Sequence, residues 1–395
     1  MKYALILPDG AADEPVEELD GRTPLEEART PHFDWISING RQGRVVTVPE
    51  EFAPASDVAT LSLLGYDPRV DYPGRAPLEA AAKGLTTQPG ELLFRCNLVT
   101  LVEGCMVDFT AGHISQPEAD RLIADLNRLL SDSGCHFHGG VSYRNLMVLS
   151  DAPDVNPSCT APHDIPDERV FDHQPQGPGA RRVIDLMEQA HELLAEHEVN
   201  QVRRDLGDNP ATDIWLWGHG RSQPLESFQQ RFGLSATMIA GVDLIRGIAT
   251  TIAMDVLDVP GATGYLDTDY AGKGAAAVTA LGDYDLVVVH IEAPDEAGHL
   301  GDPTAKINAL EKIDEWIVGP LLEALRGFGA WRIMIAPDHP TPVERRIHTR
   351  TPPPFCLAGE AVRSVLRRRF CESAAAKSDL QVDPGYELME YFLRR

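Results

Sequence analysis

The sequence predicts an α/β protein: a mainly parallel sheet with helices on both faces, interrupted by an inserted, smaller α+β cap domain. Three observations lead there. Short apolar runs at residues 3–7, 214–217, 237–240, 285–291 and 331–336 each stop at a polar residue, Gly or Pro, as buried strands do. Helical patterns at 242–254, at 273–281 and from about 303 to 325 alternate with them, and such alternation implies parallel pairing with both faces covered. In the middle of the chain the pattern changes. Residues 92–102 and 141–149 read as strands, 117–131 and 183–194 as helices, and 151–179 as a loop rich in Pro, His and Asp. The expected division is a core of residues 1–68 and 209–395 carrying an inserted cap of 69–208.

The chain has 395 residues, 43% hydrophobic and 24% charged, which allows a buried core without disulfide staples. Its formal net charge of -25 argues against nucleic acid and anionic membranes as partners, since a polyanion repels both. Any anionic substrate must then rely on local positive charge from metal ions or a few Arg and Lys. None of the six cysteines forms a C-x-x-C pair, so no zinc knuckle or thioredoxin motif is present. The apolar N-terminal run stops at Pro8-Asp9, too early for a signal peptide, and no stretch approaches the roughly 20 apolar residues of a membrane span. A cytoplasmic protein with reduced thiols is expected. No feature of the sequence selects an oligomeric state.

Three of the expected strands deliver Asp and His at or just beyond their carboxyl ends, where a parallel sheet places its site. Asp9 follows the first run. Asp295 and His299 follow the run ending at Ile291. Asp338 and His339 close the run at 331–336, and His348 stands nine residues further on. Each fragment alone has an ordinary reading. Asp-Gly favours turns, a D-x-x-x-H spacing puts two side chains on one helical face, and most histidines are unremarkable. Their joint placement points to metal binding, because carboxylate and imidazole suit Zn, Mn or Co, and Mg less well. Ser56, in Pro54-Ala-Ser-Asp-Val-Ala, opens a helical pattern. It could cap that helix, or serve as an alkoxide nucleophile activated by a metal.

These pieces resemble the alkaline phosphatase superfamily and, within it, the archaeal-type cofactor-independent phosphoglycerate mutases. The resemblance runs nearly end to end. It is carried by Leu7-Pro-Asp-Gly, Ser56-Asp-Val-Ala, Leu64-Gly-Tyr-Asp-Pro68, Gly74-Arg-Ala-Pro-Leu-Glu79, Phe94-Arg-Cys-Asn-Leu-Val99, Asp108-Phe-Thr-Ala-Gly-His113 and Gly140-Val-Ser-Tyr-Arg144. It continues through Pro260-Gly-Ala-Thr-Gly264, Asp267-Thr-Asp-Tyr-Ala-Gly-Lys273, Glu292-Ala-Pro-Asp-Glu-Ala-Gly-His299 and Asp338-His339. Ala55, Thr60 and Glu226 depart from the family's commoner Gly, Asn and Pro, and none of them removes a ligand.

The resemblance implies two divalent metal ions (Mn, Zn, Co or Mg), one held by Asp9, Ser56, Asp338 and His339, the other by Asp295, His299 and His348. It implies that Ser56 is the nucleophile, with Lys273 assisting it and binding substrate, and that His113 and Arg144 bind substrate. The substrate would be a small phosphorylated acid. The implied reaction interconverts 3-phosphoglycerate and 2-phosphoglycerate through a phosphoserine. A homoserine kinase-like phosphotransferase or a phosphatase would use the same site. The kinase would need ATP, and neither a Walker loop nor a G-x-S-x-G elbow is present.

Overall fold

The computed structural model describes residues 1–394, which separate into two compact units: residues 1–72 with 225 onward, and Pro73–Pro224. The strand Asp213–Gly220 therefore belongs to the second unit, and the border expected at 208/209 falls at 224/225 instead.

The first unit is built on an eight-stranded sheet. Its order is Gln381–Val382, Arg41–Val45, Pro354–Gly359, Trp331–Ile335, Lys2–Pro8, Leu286–Ile291, Ala236–Ile239 and Asp255–Val256. The four central strands, from Trp331–Ile335 to Ala236–Ile239, run parallel, and Pro354–Gly359 runs antiparallel to both neighbours. Leu286–Ile291 is buried along its whole length, as a β-branched run between two helical layers must be. Leu5 lies opposite both Val288 and Met334, so the strands end level and Asp9, Glu292 and Asp338 emerge at one edge.

Helices are started by their own side chains. Asp269 accepts from Gly272 N ahead of Tyr270–Ala280, and Asp302 accepts from Ala305 N ahead of Pro303–Ile313. The helix expected as one piece over 303–325 contains a π turn at Asp314–Val318, after which it resumes as Gly319–Arg326. Within that turn the buried Asp314 accepts the amides of His32 and Phe33, opening the helix Pro31–Asn39.

The second unit is an antiparallel sheet around Leu92–Val102, which pairs with Cys105–Asp108, Arg144–Leu149 and Asp213–Gly220, while Cys135–Val141 pairs with Arg144–Leu149. The run at 214–217, expected in the parallel sheet, thus pairs antiparallel within the second unit: Leu216 lies opposite Cys96. An apolar run of four residues carries no information about its partner. The strand expected over 141–149 is present from Arg144 to Leu149, and its first residues form a hairpin corner. One strand ends at Val141, Ser142 turns with φ +55°, and the next begins at Arg144. Helices Gln116–Leu129 and Ala180–Ala195 bury Leu122, Leu126 and Leu186 with Phe94, Phe137 and Trp215. All six cysteines are free, and no helix among the described residues is long and apolar enough to cross a membrane.

Candidate functional site

At the carboxyl edge of the parallel sheet, seven side chains named from the sequence come together. Asp9, fully buried, directs one oxygen to His290 Nε2 (3.1 Å) and the other toward Ser56 Oγ and His339 Nε2 (both 3.4 Å). Ser56 Oγ lies 3.0 Å from His339 Nε2. Ser56 is the first residue of the helix Ser56–Leu63, Ala55 is the N-cap residue, and no side chain caps this end. The capping role open to Ser56 is therefore not the one it fills. Asp338 Oδ1 accepts from Gly10 N (3.1 Å) and His339 N (2.8 Å), while the buried Oδ2 has no hydrogen-bond partner among the described residues.

Beside this group lies a second. Asp295 Oδ2 is 3.2 Å from His299 Nε2, and Asp295 Oδ1 is 3.3 Å from His348 Nε2. The two imidazole nitrogens approach to 2.9 Å, and the rings of His339 and His348 stack at 4.0 Å, so the two groups adjoin. Gly10 allows this closeness: it adopts φ +62°, and a Cβ there would lie 2.5 Å from Asp295 Oδ1.

The donor chemistry fits metal ions. Asp9 with Asp338 and His339, and Asp295 with His299 and His348, each place three ligand atoms within 4.8 Å of one another, as Asp9, His290 and Glu292 also do. His299 Nδ1 lies 2.9 Å from Arg346 O and His348 Nδ1 3.2 Å from Pro54 O. Each outer nitrogen can thus donate to a carbonyl, leaving Nε2 bare and facing the centre. The carboxylates crowd one another. Burial, reinforced by Asp338, Glu292 and Asp295, raises the Asp9 carboxyl well above its ordinary range. Burial also works against an ionised Asp295, but hydrogen bonds from His299 and His348 hold it well below its ordinary range. His299 in turn is raised to about 9, chiefly by Asp295. Divalent cations would relieve the repulsion among these four carboxyl groups.

Lys273 adjoins this edge at His290. Its side chain is fully buried, its ammonium donates to His290 O (3.1 Å), and burial lowers its pKa to about 8 against the opposing pull of Glu292. Glu292 is itself pushed up to about 8 by burial and then by Asp295. Sequence reasoning missed His290 and Glu292, although both close the run at 285–291 and carry polar side chains at a strand end.

The remaining two residues belong to the second unit. His113 and Arg144 both neighbour Tyr143: the His113 ring lies 6.2 Å from the Tyr143 ring, and the Arg144 guanidinium lies 5.5 Å over it. Arg144 forms part of a cationic cluster with Arg75 and Arg95 that the sequence did not single out. Arg95 is 5% exposed, lies 4.4 Å over Trp217 and pairs with Glu79 at 3.1 Å. Arg75 shares that same Glu79 at 3.3 Å. Burial lowers the Arg95 pKa to about 10; Glu79 opposes this, and the charges of Arg75 and Arg144 add to it. Arg75 and Arg95 thus share one carboxylate, and Arg144 lies within electrostatic reach of Arg95.

The family profile described as 2,3-bisphosphoglycerate-independent phosphoglycerate mutase matches residues 38–200. A Methanothrix thermoacetophila protein bearing that name is 46% identical over 394 residues, covering 100% of both chains. The solved structure titled as the PH0037 protein of Pyrococcus horikoshii superposes with TM-score 0.82 at 29% identity, covering 99% of this chain and 96% of that one. A cofactor-independent phosphoglycerate mutase from Thermoplasma acidophilum superposes with TM-score 0.65 at 26% identity, covering 100% and 99%.

Proposed function

The chain belongs to the 2,3-bisphosphoglycerate-independent phosphoglycerate mutase family, and from that premise we propose that it interconverts 3-phosphoglycerate and 2-phosphoglycerate through phosphorylated Ser56. The observation that carries the reading is the convergence of Ser56 Oγ with Asp9 and His339, with Asp338 Oδ2 3.4 Å from the same His339 Nε2. We assign one ion to Asp9, Ser56, Asp338 and His339, and a second to Asp295, His299 and His348. Such ions lower the pKa of a coordinated hydroxyl and offset the charge of a transferring phosphoryl group.

In the forward step Ser56 Oγ forms a bond to phosphorus as the bond from phosphorus to the 3-oxygen of glycerate breaks. The proton lost by Ser56 is balanced by the one the released glycerate oxygen takes up. Glycerate then turns, its 2-oxygen attacks the phosphoserine, and Ser56 is regenerated. Water must stay out meanwhile, or the phosphoserine would hydrolyse. Lys273 supports this end of the sheet through the His290 carbonyl. His113 and Arg144 are assigned to substrate binding, Arg144 to a carboxylate, which a planar guanidinium suits.

The test is an enolase-coupled assay with 3-phosphoglycerate and added manganese, without 2,3-bisphosphoglycerate. Steady formation of phosphoenolpyruvate that disappears on chelation is expected. No turnover with any of Mn, Zn, Co or Mg would refute the reading.

A further inference from the structure

Between the two ligand groups sits a side chain assigned to neither. We propose that Thr341 is a positioning residue whose hydroxyl ties a ligand of one metal to a ligand of the other; this rests on the two-metal reading above. Thr341 is fully buried. Its hydroxyl makes a short hydrogen bond to Asp295 Oδ1 and lies 3.3 Å from His339 Nδ1.

Proton bookkeeping sets the direction of that chain. His339 Nε2 faces Ser56 Oγ at 3.0 Å and Asp9 Oδ1 at 3.4 Å, the side on which a metal would lie. A metal needs that nitrogen bare, so the ring proton belongs on Nδ1. Nδ1–H then donates to Thr341 Oγ1, and the single hydroxyl proton goes to Asp295, an ionised carboxylate that can only accept. Thr341 thereby selects the metal-ready tautomer of His339 and steadies Asp295 at the same time.

The backbone at 341 is held with unusual care. The ammonium of Lys306, fully buried, donates to Thr341 O (2.9 Å), to Ala12 O (3.3 Å) and to Asp13 Oδ2 (2.7 Å). Asp13 also accepts from Val343 N at 3.3 Å, and Asp13 N donates to Glu372 Oε1 at 2.9 Å. From the other side comes the helix Ala293–Leu300, which carries Asp295 and His299. It approaches so closely that a Cβ at Gly298 would sit 2.3 Å from Thr341 O. A buried ion pair and a close glycine contact thus fix the residue whose hydroxyl joins the two groups.

A packing role and a hydroxyl role predict opposite outcomes. Thr341→Val keeps the shape and loses the hydroxyl, whereas Thr341→Ser keeps the hydroxyl and loses a methyl group. Metal-stripped wild type, T341V, T341S and D338N would be titrated with Mn²⁺ by calorimetry. Wild type is expected to bind two ions and D338N to lose one. T341V should bind about 10–100-fold more weakly, the usual cost of losing a partner that orients a ligand, while T341S stays near wild type. T341V matching wild type while T341S weakens would overturn the proposal. D338N matching wild type would instead overturn the metal reading, and the proposal with it. Should T341V fail to fold, ¹⁵N NMR of zinc-loaded wild type, assigned with H339N, decides. A protonated His339 Nδ1 is expected, and a bare one would overturn the proposal.

Discussion

Ser56 Oγ and His339 Nε2, 283 residues apart in sequence, stand 3.0 Å from each other at the carboxyl edge of the parallel sheet. A serine hydroxyl in that place has no capping duty, since the first turn of its helix draws nothing from it. Ser56→Ala should therefore leave the fold intact and lower mutase turnover by several orders of magnitude. Enolase-coupled turnover, read with a thermal melt of each protein, checks this. Activity within a few-fold of wild type would remove Ser56 as the nucleophile.

Asp295 is the shared partner of His299 and His348. Asp295→Asn removes the carboxylate charge and replaces one acceptor oxygen with an amide NH2 donor, so the second ion should be lost first. Metal analysis after gel filtration should show two ions per wild-type chain and one in the variant. Two tightly held ions in both proteins would show that the second ion is not held by Asp295.

Arg144 has an exposed side chain, so Arg144→Ala should change stability by no more than about 0.5 kcal/mol. Losing a charge-assisted hydrogen bond to a substrate carboxylate should nonetheless raise KM about 10–100-fold, equivalent to about 1.5–3 kcal/mol. A poorly held glycerate also lets water intercept the phosphoserine, so released phosphate should rise relative to phosphoglycerate turned over. Normal KM with an unchanged ratio would take Arg144 out of the substrate site.

Glu372, outside both ligand groups, gives a pH signature of its own. Burial raises its pKa to about 7 in the fold, although Thr23 and Asp13 N hydrogen-bond to it. A folded pKa above the unfolded one stabilises below the unfolded value, near the ordinary 4.5, and that stabilisation is lost as pH rises through about 7. Glu372→Gln carries no charge to bury. It should therefore melt higher than wild type at pH 8, with the gap closing toward pH 5. About 1 kcal/mol corresponds to about 2–4 °C in a domain of 150–250 residues. A gap that stays constant between pH 5 and 8 would show that Glu372 does not titrate there.

Much of this molecule could be read from the sequence, for identifiable reasons. The runs at 3–7, 285–291 and 331–336 are mostly apolar because both faces of a central parallel strand are covered, and the polar residues that follow them are conspicuous. Asp9, Asp295, Asp338 and His339 could be named from their joint placement after these runs together with the family resemblance. Strand Arg41–Val45 escaped notice because its residues are mostly polar. Gln42 is buried only by virtue of the carbonyls of Arg368 and Arg369, more than 300 residues away in sequence. The run at 214–217 was visible as a strand but not as a member of the second sheet, since pairing depends on a partner and not on the run itself.

What the sequence alone determined is the set of chemical groups, their order along the chain and the family to which they belong. These depend on residue identity and local pattern. Only the tertiary structure decided that His339 Nε2 meets Ser56, that Thr341 lies between Asp295 and His339, and that Lys306 is buried against Asp13. It also decided that Arg75 and Arg95 share one glutamate. Most of these relationships join side chains from distant parts of the chain. Hydrogen bonds and charge pairs act over a few ångströms, and sequence separation says nothing about which distant groups the packing of sheet and helices will bring within that reach.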